Sequence, residues 1–377
     1  TLLNESITLP LALAATYLSQ PSSAAILTKL LHYITTLGIN PKTLNLPKFA
    51  RLALCLGATG LALTTNDTLN KWVANNWTRN SRGEWADWSK EIVVVTGGSS
   101  GIGQHIVQGL LKRNPRTTIV IVDFAPLSWV PPEGMLGKTL HYYQADLSKA
   151  DVVKDVCARI REEVGHPTVL VNNAGILRDK TFAKMSLDDF GLVLDVHLMG
   201  SVHCTHAVWN LMREQNYGRI VMTTSSSGLY GNFGQANYAA AKMALVGLMQ
   251  TLALEGQKYG VHVNCLAPTA ATAMTEGLLE PDVPAMLSPA AVSPALVALV
   301  AEQAPNRTIL MAGAGSFEQA HITMTQGIYL HEAELSAQAL IERLPELADR
   351  REEHVPGTGF DQMRHEIAKA RAARADG

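Results

Sequence analysis

A glycine-rich turn follows a short apolar run at residues 91–103. Residues 92–95 are all β-branched, and glycines occupy positions 97, 98, 101 and 103. The run predicts a strand buried on both faces, and the glycines allow a sharp turn into a helix over Gln104–Lys112. A helix that begins there points its free N–H groups and the positive end of its dipole beyond the strand, which suits a pyrophosphate. The stretch therefore predicts a dinucleotide-binding fold.

An acidic residue at the end of the next predicted strand indicates which dinucleotide binds. That strand, Thr117–Val122, leads to Asp123, twenty residues after Gly103, at the spacing where dinucleotide folds bind the adenosine ribose hydroxyls. NADP requires a cation for its additional phosphate, whereas the glycine turn contains Ser99 and Ser100, and Asp123 would repel that phosphate. We therefore expect NAD as the cofactor.

Composition limits what else the chain can be. With 377 residues, 47% hydrophobic and 17% charged, it is long enough for one large α/β domain with extensions. A formal net charge of -2 lacks the basic field that nucleic-acid partners require. The cysteines are widely spaced, so we expect no metal site and no disulfide framework, and an intracellular, reducing compartment. They are Cys55, Cys157, Cys204 and Cys265.

Residues 1–90 are predicted to form an apolar, Trp-rich helical extension. Ser23–Leu37 has the apolar spacing of an amphipathic helix, and Leu52–Leu63 is shorter than the roughly 20 residues that span a bilayer. Tryptophans at 72, 77, 85 and 88 lie among cationic residues, a pattern typical of a lipid headgroup boundary. Two interpretations follow, a membrane-surface segment and a soluble helical cap whose tryptophans pack on the main domain.

From residue 91 to about residue 320, predicted strands and helices alternate. This pattern predicts parallel pairing with right-handed crossovers, an α/β doubly wound Rossmann-type sheet. Residues 321–377 become charged and are predicted to form a C-terminal helical extension. After the first two strands, the predicted strands are 139–144, 168–172, 219–224, 261–266 and 307–311, and the longer helices are 149–164, 186–215 and 235–258.

Candidate chemistry is concentrated near residues 225–242. Tyr238 and Lys242 are four residues apart on a predicted helix and so project from one face. A phenol is a poor base at neutral pH, but an adjacent ammonium lowers its pKa, which makes the pair a candidate acid and base. Ser225 follows a predicted strand directly, at the sheet edge where α/β folds bind ligands, and its hydroxyl is placed to hold a substrate oxygen.

Taken together, these motifs resemble the short-chain dehydrogenase/reductase family over residues 91–315. The resemblance is carried by Thr96–Gly103, Asp146-Leu147, Asn172–Gly175, Ser225 and Tyr238 with Lys242. Within the family, residues 169–330 resemble the dehydrogenase units of type 2 peroxisomal multifunctional enzymes, which oxidise (3R)-hydroxyacyl-CoA. Residues 65–125 resemble membrane-associated fungal members close to retinol and steroid dehydrogenases.

The resemblance implies NAD(H), a homodimer or homotetramer, and a catalytic centre of Ser225, Tyr238 and Lys242. His197 stands where the family usually has an Asn that supports the Lys; we interpret it as part of the proton relay, with a buried structural His as the alternative. Asp146 is expected near the adenine, with a helix N-terminal role as the alternative. The cofactor-binding candidates are Thr96, Gly97, Ser99, Ser100, Gly101, Ile102, Gly103, Asp123, Asp146, Leu147, Asn173, Ala174, Gly175, Tyr238, Lys242, Pro268, Thr269 and Thr272.

One departure concerns the chain after the sixth predicted strand. The usual Pro-Gly is Pro268-Thr269 here, which we expect to stiffen the loop that faces the nicotinamide. Thr272 and Thr275 are both candidates to hold the carboxamide. Tyr230, Phe233 and Met274 are candidates for the substrate side of the cleft, and each is equally consistent with ordinary packing. The two long predicted helices, 186–215 and 235–258, are expected to pair across a two-fold axis.

The predicted substrate is a hydrophobic secondary alcohol or its ketone, because the segment from Ser225 to Ala241 contains no Arg for a carboxylate. The residues near the reacting carbon favour a (3R)-hydroxyacyl thioester and a cytoplasmic or peroxisomal enzyme. A membrane-associated retinol or steroid dehydrogenase is the alternative that the first half favours. A protein that binds NAD without turning it over is a third interpretation, against which an intact Ser, Tyr and Lys set argues.

Overall fold

A computed structural model describes residues 87–272 and 283–375. These residues belong to one compact unit that begins at residue 84. The predictions for the first 86 residues, including the amphipathic helix and the membrane surface, lie outside the described residues, as do those for Met274 and Thr275.

A single eight-stranded sheet forms the centre of the described chain, in the order β3-β2-β1-β4-β5-β6-β7-β8. Neighbouring strands are parallel from β3 through β7, and β8 pairs with β7 in the antiparallel direction. The predicted doubly wound α/β sheet is thereby confirmed. The strands are β1 (Ile92–Thr96), β2 (Thr118–Asp123), β3 (Leu140–Gln144), β4 (Val169–Asn172), β5 (Gly218–Thr223), β6 (Val261–Thr269), β7 (Ile309–Gly313) and β8 (Ser316–Ala320).

Helices connect the strands and cover both faces of the sheet. The N-terminal set is α1 (Gly101–Arg113), α2 (Ala150–Glu163), α3 (Leu187–Leu194), α4 (Gly200–Glu214), α5 (Ser226–Tyr230) and α6 (Ala236–Gly256). The C-terminal set is α7 (Val283–Met286), α8 (Ser293–Val300), α9 (Ala337–Glu342), α10 (Leu344–Leu347) and α11 (Gly359–Ala375). This order confirms the predicted alternation and the helical C-terminal region.

The central strands are buried on both faces, which explains their unbroken β-branched runs. In β1, Val94 packs with apolar residues of α2, α4 and α6 on one face of the sheet. Val93 and Val95 pack with apolar residues of α1 and α8 on the other. From β1, the strand order runs to β2 and β3 on one side and to β4 and the later strands on the other, so it reverses beside β1. Sheets of this kind bind ligands at such a switch point.

Four local features differ from the prediction. The long helix predicted at 186–215 contains a π-helical segment, Asp195–Met199, between α3 and α4. Strand β6 continues through Pro268 and Thr269, which pair with Ala312 and Gly313 of β7, so these residues are not in a loop. The short helix α5 and the antiparallel β8 were not predicted, because a five-residue helix and a mostly exposed strand carry little periodic signal.

Trp88 corrects one part of the membrane interpretation. Its side chain is 4% exposed and belongs to the apolar core beside Val93 and Ile119, so it is not available to a lipid boundary. Among the described residues, one helical run, 283–300, is long and apolar enough to cross a membrane by length and composition. That run is divided into shorter pieces, and Leu296 and Leu299 of α8 are core residues.

The C-terminal extension is attached to the main domain through Arg307. The guanidinium of Arg307 donates to the side-chain oxygen of Gln250 in α6 and to the carbonyl of Gly357, just before α11. Within the extension, Met324 and His354 exchange two backbone hydrogen bonds of 2.9 Å. Long-range backbone pairing therefore holds the extension together, and one side chain joins it to a core helix.

Candidate active site

The glycine turn between β1 and α1 forms a close-fitting cradle. Gly97 and Gly101 have φ values of +67° and +55°, a region that favours glycine. A Cβ on Gly103 would lie 2.0 Å from the carbonyl oxygen of Gly97, so the helix and the turn approach too closely for any side chain. Ser100 precedes α1 without a side-chain capping bond. The first N–H groups of α1 therefore remain available to an anion.

Asn173 and Thr96 join the glycine turn to the end of β4. The Asn173 amide donates to the carbonyls of Thr96 and Gly97, both at 3.2 Å. The Thr96 hydroxyl oxygen accepts from the backbone N–H of Asn173 at 2.9 Å and of Ala174 at 3.1 Å. These bonds fix the two strand ends on either side of the switch point.

Asp123 lies at the carboxyl end of β2, where the sequence predicted it. Its two carboxylate oxygens accept hydrogen bonds from the backbone N–H groups of Ser99 at 2.9 Å and Ala125 at 3.0 Å. Ser128 then donates to the Ser99 carbonyl from both its hydroxyl, at 2.7 Å, and its backbone, at 3.1 Å. Asp123 therefore also holds the glycine turn in place, a role that the sequence alone did not indicate.

Asp146 and Leu147 lie between β3 and α2, and the expected contact of Asp146 with the adenine stays a prediction. One carboxylate oxygen of Asp146 accepts from the backbone N–H and the hydroxyl of Ser148, at 3.0 and 2.7 Å, in the turn that precedes α2. Leu147 is 6% exposed and packs on one face of the sheet. Ile102, Thr269 and Pro268 remain predicted contacts. Thr272 lies over the glycine turn, with its methyl group 3.8 Å from where a Cβ on Gly101 would be.

Ser225, Tyr238 and Lys242 come together at the carboxyl end of β5. Ser225 caps α5, accepting from the backbone N–H of Ser227 at 3.2 Å, and its hydroxyl hydrogen-bonds the Tyr238 side chain. The Lys242 ammonium lies 5.5 Å from the centre of the Tyr238 ring and donates to the Thr223 carbonyl at 2.5 Å. The capping bond fixes the Ser225 hydroxyl. The four-residue spacing along α6 places Tyr238 and Lys242 on the face of that helix towards Ser225.

Burial dominates the proton affinities of this group. The pKa of the Tyr238 phenol is raised, chiefly by burial, with a smaller lowering by its hydrogen bond to Ser225. Burial also lowers the pKa of Lys242 to about 7. The direction for Tyr238 is therefore opposite to the one the sequence predicted. The reason is that Tyr238 is itself desolvated, and the Lys242 ammonium is directed at the Thr223 carbonyl.

His197 lies at the centre of the π-helical segment and faces Tyr238 edge-on, with ring centres 5.2 Å apart. Its Nε2 lies 2.9 Å from the backbone nitrogen of Ile176 and 2.8 Å from the Ile176 oxygen. A Cβ on Gly175 would lie 2.2 Å from the His197 ring. Burial, together with the charge of Lys242, lowers the pKa of His197 to about 3, so the imidazole is neutral at physiological pH.

Three polar residues beside Tyr238 escaped the sequence prediction. Asn237 is fully buried; its amide donates to the Arg178 carbonyl at 3.1 Å, and its oxygen accepts from the Tyr238 backbone at 2.7 Å. Gln235 donates to Asp179 at 2.6 Å. These bonds fasten the start of α6 to the segment after β4. Their sequence signal was weak, because polar residues at a helix start are common in any protein.

The candidate substrate side is open. Tyr230 is 69% exposed and Phe233 is 89% exposed, so neither is a packed core residue. Among residues 87–272 and 283–375, no group of three or more His, Cys, Asp or Glu side chains is arranged to hold a metal ion.

Comparison with known proteins agrees with this geometry. The family model described as short chain dehydrogenase matches residues 91–282. The chain belongs to the short-chain dehydrogenase/reductase family. A short-chain type dehydrogenase/reductase of Mycobacterium tuberculosis is 38% identical over 60% of this chain and 84% of its own length. The predicted family and oxidoreductase class are thereby confirmed.

The similarity to multifunctional enzymes is also confirmed. Peroxisomal multifunctional enzyme A of Dictyostelium discoideum is 35% identical over 65% of this chain and 58% of its own length. The solved structure of full-length peroxisomal multifunctional enzyme type 2 from Drosophila melanogaster has a TM-score of 0.57 and 30% identity, over 76% of this chain and 49% of that one. The chain thus spans about half the length of these two relatives.

Proposed function

We propose that this short-chain dehydrogenase/reductase is NAD-dependent and interconverts a hydrophobic secondary alcohol and its ketone, with a (3R)-hydroxyacyl thioester as the substrate. The observation that carries the proposal is the grouping of Ser225, Tyr238 and Lys242 at the end of β5, on the same sheet edge as the glycine turn. Proton-transfer residues and a dinucleotide cradle on one edge suit hydride transfer.

A dinucleotide fits the residues present. The turn at Gly97 and Gly103 is a space that any Cβ would fill, and the start of α1 offers uncapped N–H groups to a pyrophosphate. In the proposal, Asp123 accepts from the adenosine ribose hydroxyls, since a carboxylate has about four lone-pair sites and the backbone uses two. Asn173, Ala174 and Gly175 line the approach from β4, and Thr272 serves the nicotinamide side.

The preference for NAD over NADP rests on charge. Asp123 places a carboxylate where NADP would place its additional phosphate. The segment that follows β2 and covers the glycine turn, residues 124–132, contains no Lys or Arg. Ser128 and Trp129 from this segment donate to the carbonyls of Ser99 and Gly98. The residues closest to the ribose therefore offer no cation to a phosphate.

The protein's part in the reaction is to move one proton and hold one oxygen. The bound nicotinamide supplies the hydride acceptor or donor. In the oxidative direction, Tyr238 takes the hydroxyl proton of the substrate while Ser225 orients the oxygen. Because burial raises the pKa of Tyr238, the phenolate requires a cation nearby, and Lys242 supplies it when protonated. When a dinucleotide is bound, Lys242 would donate to its ribose hydroxyls, which would favour the charged form of Lys242. His197 positions the Tyr238 ring through their edge-on contact.

The choice of substrate follows from the similarity to the multifunctional-enzyme branch, which covers the residues around Ser225 and Tyr238. The exposed aromatic rings of Tyr230 and Phe233 offer an apolar surface to an acyl chain. A peroxisomal location is part of the same proposal, because the relatives are named as peroxisomal. The retinol or steroid alternative draws on residues 65–125, which are farther along the chain from the reacting group.

A side-by-side assay of NADH release tests the proposal. The substrates are (3R)-hydroxyacyl-CoA, (3S)-hydroxyacyl-CoA, a steroid alcohol and retinol. We expect activity on the (3R) thioester, and we expect Tyr238→Phe to lower kcat by about 10²–10⁴-fold with NAD affinity nearly unchanged. Phe233→Leu, outside the proton relay, is the matched control and should alter KM more than kcat.

Three outcomes would contradict the proposal. Activity on the steroid or retinol, with none on either thioester, would reverse the order of substrates. Loss of NAD binding in Tyr238→Phe, with full turnover at saturating NAD, would show that Tyr238 binds the cofactor and does not transfer the proton. A protein that binds NAD with all four substrates inert would be the non-catalytic alternative.

A further inference from the structure

A second cavity lies between α2 and α4, away from the Ser225 group. It has a volume of about 550 Å³. Its floor is formed by side chains from the middle of the sheet, including Val94, Val122 and Leu170. Small residues such as Ala158 of α2 and Ala207 of α4 line the walls. We call this cavity the α2/α4 cleft.

The lining of the α2/α4 cleft is mostly apolar, and the charged side chains in it are cationic. Its basic residues are Lys154 and Arg161 of α2 and His203 and His206 of α4, and the lining contains no Asp or Glu. Glu163 of α2 lies outside the lining and accepts from Tyr143 and Arg159. An anion at the cleft would therefore meet cations without a competing carboxylate.

His203 provides a polar contact that the described chain leaves open. Its Nδ1 is buried and has no hydrogen-bond partner among the described residues. A buried polar nitrogen without a partner is destabilising, and a ligand that pairs with it would remove that cost. Lys154 and His203 line the part of the cleft that is near Leu147, where α2 and α4 begin. A polar head group therefore fits at this end.

The floor of the cleft is unsuited to water. A stable internal water needs about two to four polar partners, and Val94, Val122 and Leu170 supply none. Cavities of about 300–1,000 Å³ with apolar walls and a few polar groups are typical of small-molecule sites. An occupant that matches the lining has an extended apolar part along the sheet and an anionic end at Lys154 and His203.

We propose that the α2/α4 cleft binds a long acyl chain with an anionic head group. The chain lies on the apolar floor, and the head group accepts from Lys154 and from Nδ1 of His203. The site is separate from the substrate position at Ser225 and holds whether or not that proposal stands. Two sources share this chemistry, a free fatty acid and an acyl-CoA.

Displacement of a fluorescent fatty acid from the full chain tests the proposal. Palmitate, palmitoyl-CoA and uncharged 1-hexadecanol are compared in the presence of saturating NAD. We expect palmitate to displace the probe and hexadecanol to do so about tenfold less well or worse. Displacement by palmitoyl-CoA as well would extend the site to the thioester, and displacement by palmitate alone would restrict it to the free acid.

Three variants separate the cleft from other surfaces. Ala207→Phe fills the cleft and Lys154→Glu reverses its charge; each should weaken palmitate binding by about tenfold or more. Lys112→Glu makes the same charge change on α1, on the opposite face of the sheet, and should bind normally. Thermal unfolding of each variant verifies that it is folded. A second filling variant, Ala158→Leu, replaces Ala207→Phe if the latter unfolds.

Alkylation of Cys157 gives an independent readout. Cys157 is half-buried in the cleft lining, whereas Cys204 and Cys265 are buried. Palmitate should slow alkylation at Cys157, measured by peptide mass spectrometry. Equal palmitate affinity in Ala207→Phe and the native protein, or no protection of Cys157 at saturating palmitate, would overturn the proposal. Full loss of palmitate binding on addition of NAD would likewise assign the fatty acid to the dinucleotide site.

Discussion

At the scale of single residues, Asp123 has two tasks on one carboxylate. Its contacts with Ser99 and Ala125 hold the glycine turn, and its charge is proposed to select NAD. The two tasks separate experimentally because Asn carries no charge but keeps one oxygen, which can still accept from Ser99, while the acceptor for Ala125 is lost. A substitution that removes the charge therefore need not loosen the turn.

We predict that Asp123→Asn combined with Phe124→Arg will raise the NADP/NAD ratio of kcat/KM by about tenfold or more, because Phe124 is exposed and an Arg there can reach a phosphate. Asp123→Ala with the same Arg should also lower the melting temperature. Steady-state kinetics with both cofactors provides the measurement. Equal efficiencies for NAD and NADP in the native protein would remove the charge argument.

We predict that Lys242 lowers the stability of the folded protein and is required for its activity. Its pKa in the folded chain is about 7, against 10.5 for an ordinary lysine. Below about pH 7 both states carry the proton and the folded state bears the full cost of the buried charge; the cost declines as pH rises through 7 towards 10.5 and is lost above it. Lys242→Met should therefore raise the melting temperature at about pH 6 more than at about pH 9.5.

The same variant should have no measurable dehydrogenase activity. Thermal unfolding at the two pH values is the measurement, and Lys184→Met, at an exposed position, is the control. A lower melting temperature for Lys242→Met at both pH values would mean that the bond to the Thr223 carbonyl outweighs the cost of burial.

At the scale of elements, sequence patterns predicted what depends on periodicity. The unbroken runs at β1, β2 and β5 were recognised because both of their faces are buried. The π-helical segment was missed, because a single turn of this kind within a longer helix has no residue pattern of its own. Its position at His197 depends on a contact between distant parts of the chain, with Gly175 and Ile176 after β4.

In the candidate site too, sequence patterns identified some residues and missed features that depend on distant parts of the chain. Ser225, Tyr238 and Lys242 were identified from spacing, since strand ends and helical faces are local properties. The acceptor for Lys242, the carbonyl of Thr223, carries no side-chain signal and so required coordinates. The raised pKa of Tyr238 also depends on burial by distant segments, which no local spacing reports.

The attachment of the C-terminal extension gives a prediction for an element. Arg307→Ala removes the bonds from the main domain to Gln250 and to the Gly357 carbonyl. We expect faster amide hydrogen exchange across residues 354–375, with little change in the sheet. Arg350→Ala, which breaks an exposed ion pair with Glu353, is the control and should leave exchange unchanged. Uniform exchange in all three proteins would show that backbone pairing alone holds the extension.

At the scale of the whole molecule, α6 indicates self-association. One outward-facing stripe of this helix consists of small and apolar residues. Met243 is 41% exposed and Leu254 is 42% exposed, and there is open space beside Gly247. Small and apolar residues at this spacing allow a second helix to approach closely. A two-fold related copy presents the same stripe, and so the surface is self-complementary.

We predict that the protein is at least a dimer and that Gly247→Arg shifts it towards the monomer. Light scattering across a concentration series measures the mass. Lys258→Ala, near the end of the same helix and outside the stripe, should leave the mass unchanged. A monomer mass for the native protein at every concentration would refute the prediction.

Strand β8, the last strand of the sheet, affects whether copies of this chain can pair edge to edge. In the part of the chain that the structure describes, strand β8 is an edge of the sheet, and an edge with free backbone groups invites another chain to extend the sheet without limit. Glu318, in the middle of β8, is exposed and charged. A copy that added itself there would bring two such carboxylates close together. This edge thus discourages fibrous growth and leaves the helical surface of α6 for the predicted two-fold association.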